Sequence, residues 1–156
     1  MPVSLALYQP DIPQNTGTLI RLAACLDFDL HIIRPTGFPF SDRHLKRAGL
    51  DYAEVAKVTE HNSFEAFEEW RATTGKRLVL LSTKAKNSAY KTAFSENDIL
   101  MVGRESAGVP ETVAAKADLT IRIPMAAGLR SINVAIAAAL MLGEAKRQTD
   151  GFSTLS

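Results

Sequence analysis

The stretch DILMVGRESAGVPE, Asp98 to Glu111, runs an apolar strand pattern into a turn with glycine at both ends and an arginine and a glutamate between them. Strand, glycine turn and helix is the order in which a backbone presents N–H groups to a ligand at the edge of a sheet. Spacing excludes two standard versions of it. A dinucleotide fingerprint needs three glycines as G-x-G-x-x-G, and only Gly103 and Gly108 are present. A nucleophile elbow needs G-x-S-x-G, whereas Gly103 to Gly108 reads G-x-x-S-x-G, one residue too long.

Two further turns have the same character. In YQPDIPQNTGTLIRLAA, Asn15 is positioned as a helix N-cap, Gly17 leaves space and Arg21 projects one turn on. In IRIPMAAGLRSINVAIAAAL, a strand ending at Ile123 passes through Pro124 and Gly128 to Arg130, Ser131 and Asn133 at the head of an apolar helix. Ser131 is placed to cap that helix or to bind a ligand, and capping also accounts for Asn133. No G-x-x-x-x-G-K-[ST] phosphate loop occurs. His31, His44 and His61 share no ligand spacing with Cys25 or with one another, so no metal is expected.

The elements that must position these turns follow from periodicity. Val3 to Tyr8, Leu30 to Ile33, Arg77 to Leu81, Ile99 to Val102 and Leu119 to Ile123 are short β-favouring runs separated by segments of helical period. That alternation predicts an α/β fold, a mostly parallel sheet flanked by helices, in which all three turns converge at the carboxyl edge. One helix follows Pro13, with Leu19, Leu22, Ala23 and Leu26 on one face; another spans about Ser63 to Thr73, with Phe64, Phe67 and Trp70 inward. The last, roughly Ser131 to Arg147, is apolar almost all round, so a face left uncovered by the sheet is expected to meet a second copy of the chain.

At 156 residues the chain reads as a single domain, 1–156, with a polar tail from Thr149 to Ser156 expected to fray. Cys25 lies in the apolar run Leu22 to Leu26 and is expected in the core, consistent with a reducing compartment. The longest apolar run, Val134 to Leu142, falls far short of the roughly 20 residues of a membrane span, and no targeting segment is visible. The cytoplasm is the expected location. A net charge of +1 leaves nucleic-acid binding to local patches. Arg43, Lys46 and Arg47, at i, i+3 and i+4, form one cationic helical face, and Lys84, Lys86 and Lys91 cluster after the strand ending at Leu81.

Taken together, N-x-G-x-x-x-R at Asn15 to Arg21, G-x-E-x-x-G at Gly103 to Gly108 and I-P-M…R-S-x-N at Ile123 to Asn133 resemble the three signature motifs of the SPOUT RNA methyltransferases. The similarity covers almost the whole chain, including LHIIRPTGFPFSDRHLKRAGLDY, and is closest to the short TrmL-type branch. The resemblance implies a SPOUT fold with a C-terminal trefoil knot whose loops bind S-adenosylmethionine largely through backbone. It also implies a homodimer, paired through the C-terminal helix, that 2′-O-methylates the wobble ribose in the anticodon stem-loop of tRNA. By position it puts cofactor contacts on Leu81, Gly103, Ile123 and Ser131, with Met125 and Leu129 as further lining. Arg21, Asn15 and Glu105 fall in the catalytic region, and Arg43, Lys46, Arg47, Lys84 and Lys86 are the residues expected to face RNA.

Two points stay open at this level. A charged guanidinium carries no acceptor, so Arg21 orients the hydroxyl or a phosphate better than it removes a proton. Glu105 is placed equally well to pair with Arg21, to contact the cofactor, or to act as a turn carboxylate near a helix N-terminus. Three other functions fit less of the sequence: a same-fold methyltransferase of ribosomal RNA, a non-catalytic RNA-binding module, and a serine hydrolase using Ser106 or Ser131.

Overall fold

The computed structural model describes residues 2–40 and 56–156. The elements run β1 (Ser4–Tyr8), α1 (Pro13–Leu26), β2 (Asp29–Ile33), β3 (Lys57–His61), α2 (Phe64–Thr74), β4 (Arg77–Leu81), β5 (Asn87–Ser88), β6 (Asp98–Val102), α3 (Glu111–Ala114), β7 (Leu119–Arg122) and α4 (Val134–Gln148). All the strands join one sheet in the order β3-β2-β1-β6-β4-β7-β5, and every pairing is parallel. The carboxyl ends of β1, β4, β6 and β7 therefore share one edge, and the three polar turns leave from it.

Burial on both faces makes the central strands SLALY and DILMV nearly continuous apolar runs. Alternate side chains then divide the core in two. Leu5, Leu7, Leu100 and Val102 pack against Leu19, Ile20 and Ala23 of α1 and Ala138, Met141 and Leu142 of α4. Ala6, Tyr8, Ile99 and Met101 pack on the other face with Phe64 and Phe67 of α2. The expected strands β1, β2, β4, β6 and β7 are present within a residue at each end. β3 and β5 were not expected. KVTEH is an outer strand paired only with β2, so most of its side chains are exposed and no apolar alternation marks it.

Two details differ from the sequence reading. Asn15 is not the cap of α1: Ile12 holds that position, Pro13 opens the helix, and Asn15 is buried within the first turn. Cys25 is exposed, because α1 turns it away from the face carrying Leu19 and Ala23. On α4, Asn133 is the N-cap, its side chain accepting from the N–H groups of Ala135 and Ile136. Residues 149–155 fold back in successive turns, with the Gly151 N–H bonded to the Lys146 carbonyl at 2.7 Å and the Lys146 ammonium over the Phe152 ring. No helix among the described residues is long and apolar enough to cross a membrane.

Under α2, Nδ1 of His31 and Nε2 of His61 lie 3.0 Å apart among Phe67 and Trp70. Burial first, then His61 and Lys76, pushes His31 down to about 4; burial also lowers His61. A histidine depressed below its unfolded value of about 6.5 gives stability that is complete above that pH and declines as the unfolded chain gains the proton first. For His31 the loss reaches about 3 kcal/mol by pH 4. Urea midpoints of the wild type and of His31→Gln should therefore diverge between pH 7 and pH 5, the wild type losing more. Parallel pH dependences would refute this.

Candidate active site

The turn after β6 is a closed loop. The Arg104 N–H donates to the Gly108 carbonyl at 3.0 Å and the Gly108 N–H returns to the Arg104 carbonyl at 2.8 Å. Its glycines serve different needs. Gly108 has φ +63°, the left-handed region that favours glycine. Gly103 is required by proximity: a Cβ there would lie 2.6 Å from the carbonyl carbon of Gly108.

Beside this loop lies a cleft of about 660 Å³, within the range of small-molecule sites. Leu81, Gly103, Ile123, Met125 and Ser131 line it, as do Asn15 and Glu105. Of the residues the resemblance placed at the cofactor, Leu129 is the exception, 70% exposed and outside the lining. Arg21 is exposed on α1, off the cleft wall. Lys84 is on the lining and Lys86 is exposed outside it, while Arg43, Lys46 and Arg47 lie outside the described residues.

A chain of hydrogen bonds joins the three turns. Asn133 Nδ2 donates to Asn15 Oδ1 at 3.1 Å, and Asn15 Nδ2 to Glu105 Oε1 at 3.4 Å. The Asp11 N–H donates to Glu105 Oε2 at 3.0 Å, and the Glu105 N–H returns to Asp11 Oδ1 at 3.1 Å. Ser106 Oγ also donates to the Asp11 carboxylate. Burial first, and Asp11 next, raises the proton affinity of Glu105; the contact with Glu105 lowers that of Asp11. Glu105 thus pairs with the first turn through Asp11 and Asn15.

Sequence reasoning missed Asp11, whose only signal is its place between two prolines in the turn after β1. It also missed the wall of Val109, Glu111 and Ala114, because a helix as short as α3 leaves no periodic trace.

The site suits a ligand that is part apolar and part charged. Leu80, Leu81, Val102 and Ile123 supply an apolar floor, Lys84, Arg104, Glu105 and Glu111 the charges, and the Gly103–Gly108 contact a bare backbone wall.

The fold is a parallel α/β sheet with a cleft at its carboxyl edge, and the chain belongs to the SpoU rRNA Methylase family, whose model matches residues 2–143. The chain is 54% identical over 153 residues to a tRNA (cytidine(34)-2′-O)-methyltransferase of Ancylobacter novellus, covering 98% of this chain and 97% of that relative. A solved structure described as structural insights into the 2′-OH methylation of C/U34 on tRNA superposes with a TM-score of 0.87 at 45% identity, covering 94% of this chain and 95% of the other. The SpoU methyltransferase AviRb of Streptomyces viridochromogenes, solved with AdoMet, gives a TM-score of 0.83 at 25% identity over 94% of this chain and 60% of its own.

Proposed function

We propose that this protein transfers a methyl group from S-adenosylmethionine to the ribose 2′-hydroxyl of the wobble nucleotide, cytidine or uridine 34, of tRNA. The observation that carries the reading is the meeting of Asn15, Glu105 and Asn133 in one bonded chain along the glycine-walled cleft. The names of the relatives supply the substrate. In this reading Leu81, Gly103, Ile123, Met125 and Ser131 hold the cofactor. When bound, it supplies an electrophilic methyl on a sulfonium. The protein's part is to align an oxygen nucleophile with that methyl and to exclude water, which accounts for much of the acceleration in such displacements.

Arg21, exposed past the middle of α1, serves the RNA backbone or orients the hydroxyl, because its guanidinium has no acceptor for a proton. Lys84 at the cleft and Lys86 beside it give phosphates a first cationic contact, with Arg43, Lys46 and Arg47 as the second. The homodimer belongs to the same proposal. Ile136 and Leu140 of α4 are 57% and 43% exposed while the opposite side of the helix packs on the core, which leaves an apolar stripe for a second copy. So does the trefoil knot: β7 lies beyond β4 in the sheet, yet α4 returns to pack on β1, β6 and α1. The contour length of the stretched chain, short by the knotted loop, would test it. The cytoplasm, where tRNA is available, is the proposed location.

Incubation of the purified protein with unmodified tRNA and methyl-labelled S-adenosylmethionine, followed by nuclease digestion and nucleoside mass analysis, tests the activity. The expected product is a labelled 2′-O-methylnucleoside mapping to position 34, made by a protein that light scattering shows to be twice the mass of one chain. Label confined to another ribose would overturn the substrate, and a monomer the dimer.

A further inference from the structure

The reaction proposed above has to dispose of a proton. As the ribose oxygen attacks, the methyl carbon forms a C–O bond, the C–S bond breaks with its electrons left on sulfur as a thioether, and the O–H proton must leave. Arg21 cannot take it while charged. The cleft lining offers two carboxylates among the described residues, Glu105 and Glu111.

The two differ in setting. Glu111 is exposed on the single turn of α3, and no bonded neighbour among the described residues fixes its carboxylate. Glu105 is half-buried, and Asp11, itself off the cleft lining, is bonded against it from behind. One oxygen of Glu105, Oε2, accepts the Asp11 N–H at 3.0 Å. The other, Oε1, receives among the described residues only the long 3.4 Å bond from Asn15, and Glu105 is itself on the cleft lining. Asp11 is fixed in turn by the Glu105 N–H and Ser106 Oγ. Gly37 packs against it closely enough that a Cβ there would fall 2.6 Å from that of Asp11.

We propose that Glu105 is the proton acceptor for the 2′-hydroxyl, and that Asp11 is a positioning residue that orients the Glu105 carboxyl. The step balances: carboxylate, alcohol and methylsulfonium give carboxylic acid, methyl ether and thioether. A general base works best when its proton affinity approaches the operating pH. Burial and the Asp11 carboxylate both move Glu105 in that direction. The other charged groups on the lining are Lys84, Arg104 and Glu111, and the charge that acts on Glu105 is Asp11. Asn15 then links acceptor and helix: it donates to Glu105 and receives from Asn133, the N-cap of α4.

The proposal rests on the methyltransferase reading, so the test separates the two. Rates of methyl transfer to tRNA are measured from pH 5 to pH 9 for the wild type, Glu105→Gln and Asp11→Asn, with cofactor affinity taken by calorimetry on each. The wild-type rate should fall on the acid side as Glu105 gains its proton. Glu105→Gln should lose about 10²- to 10⁴-fold in kcat while cofactor affinity stays within threefold, which also shows that the variant is folded. Asp11→Asn should keep much of kcat at high pH and move the acid limb to lower pH, a displacement that a merely structural role would not produce. Glu105→Gln within threefold of wild-type kcat, or an acid limb unmoved by Asp11→Asn, would overturn the proposal and leave the methyltransferase reading intact. A wild type that transfers nothing to tRNA would overturn both.

Discussion

Gly103→Ala is expected to lose methyl transfer by about 10²-fold, with a matching loss of cofactor affinity. The added Cβ would lie 2.6 Å from the Gly108 carbonyl carbon, 2.8 Å from its Cα and 3.0 Å from its oxygen, all backbone atoms in a loop closed by two hydrogen bonds. Backbone in that position has no rotamer to change, so the loop itself must shift. A displacement of about 1 Å at a reacting site carries a penalty of this order. Gly143→Ala in α4 is the control, since its Cβ meets nothing within 4 Å and helix propensity favours alanine there by about 0.5–1 kcal/mol. Calorimetric titration with S-adenosylmethionine and the labelled transfer assay check both. Gly103→Ala binding within threefold of the wild type would show that the two glycines do not form the cofactor wall.

Arg77→Ala is expected to be the most damaging change outside the cleft. Asp98 is completely buried, and its two oxygens take Nε and Nη2 of Arg77 at 2.7 Å each, with the Ser95 N–H at 2.8 Å. Removing the arginine leaves a carboxylate in the protein interior with one donor, a situation worth about 3–5 kcal/mol. Urea unfolding measures the loss, and a change below about 1 kcal/mol would contradict it. This pair joins the amino ends of β4 and β6, the edge opposite the cleft. The variant that remains folded should therefore bind the cofactor as tightly as the wild type.

Central elements were legible in the sequence because burial writes a pattern. SLALY, RLVLL and DILMV read as strands since both of their faces are covered, and FEAFEEW read as a helix since only one of its faces is. β3 and α3 carry no such mark, the first because its outer position exposes it and the second because four residues complete barely one turn. The site was legible to a similar depth. Its glycines and asparagines stood out through spacing, but the identity of their partners depended on which strands become neighbours. Nothing local to Asp11 indicates that it meets Glu105, since 94 positions separate them and the contact exists only because β1 pairs with β6. Asn15 shows the same limit: its type suggests a cap, yet Pro13 starts the helix earlier and frees the amide to bridge two other turns.

The segment from β7 to α4 has a consequence for how tightly the cleft can hold a ligand. Residues 124–133 are almost entirely exposed, and the hydrogen bonds that restrain them among the described residues are the Leu129 N–H to Ala126 turn and those of Asn133 at the far end. Met125 and Ser131 lie within this span and also line the cleft. A ligand that needs both must order a sparsely bonded loop, and part of the intrinsic contact energy is consumed in that ordering. Affinity is then tunable by loop stiffness alone. Substitutions that restrict the free loop without touching the ligand would tighten binding and slow release, so that turnover and retention trade against each other through chain entropy rather than through contacts.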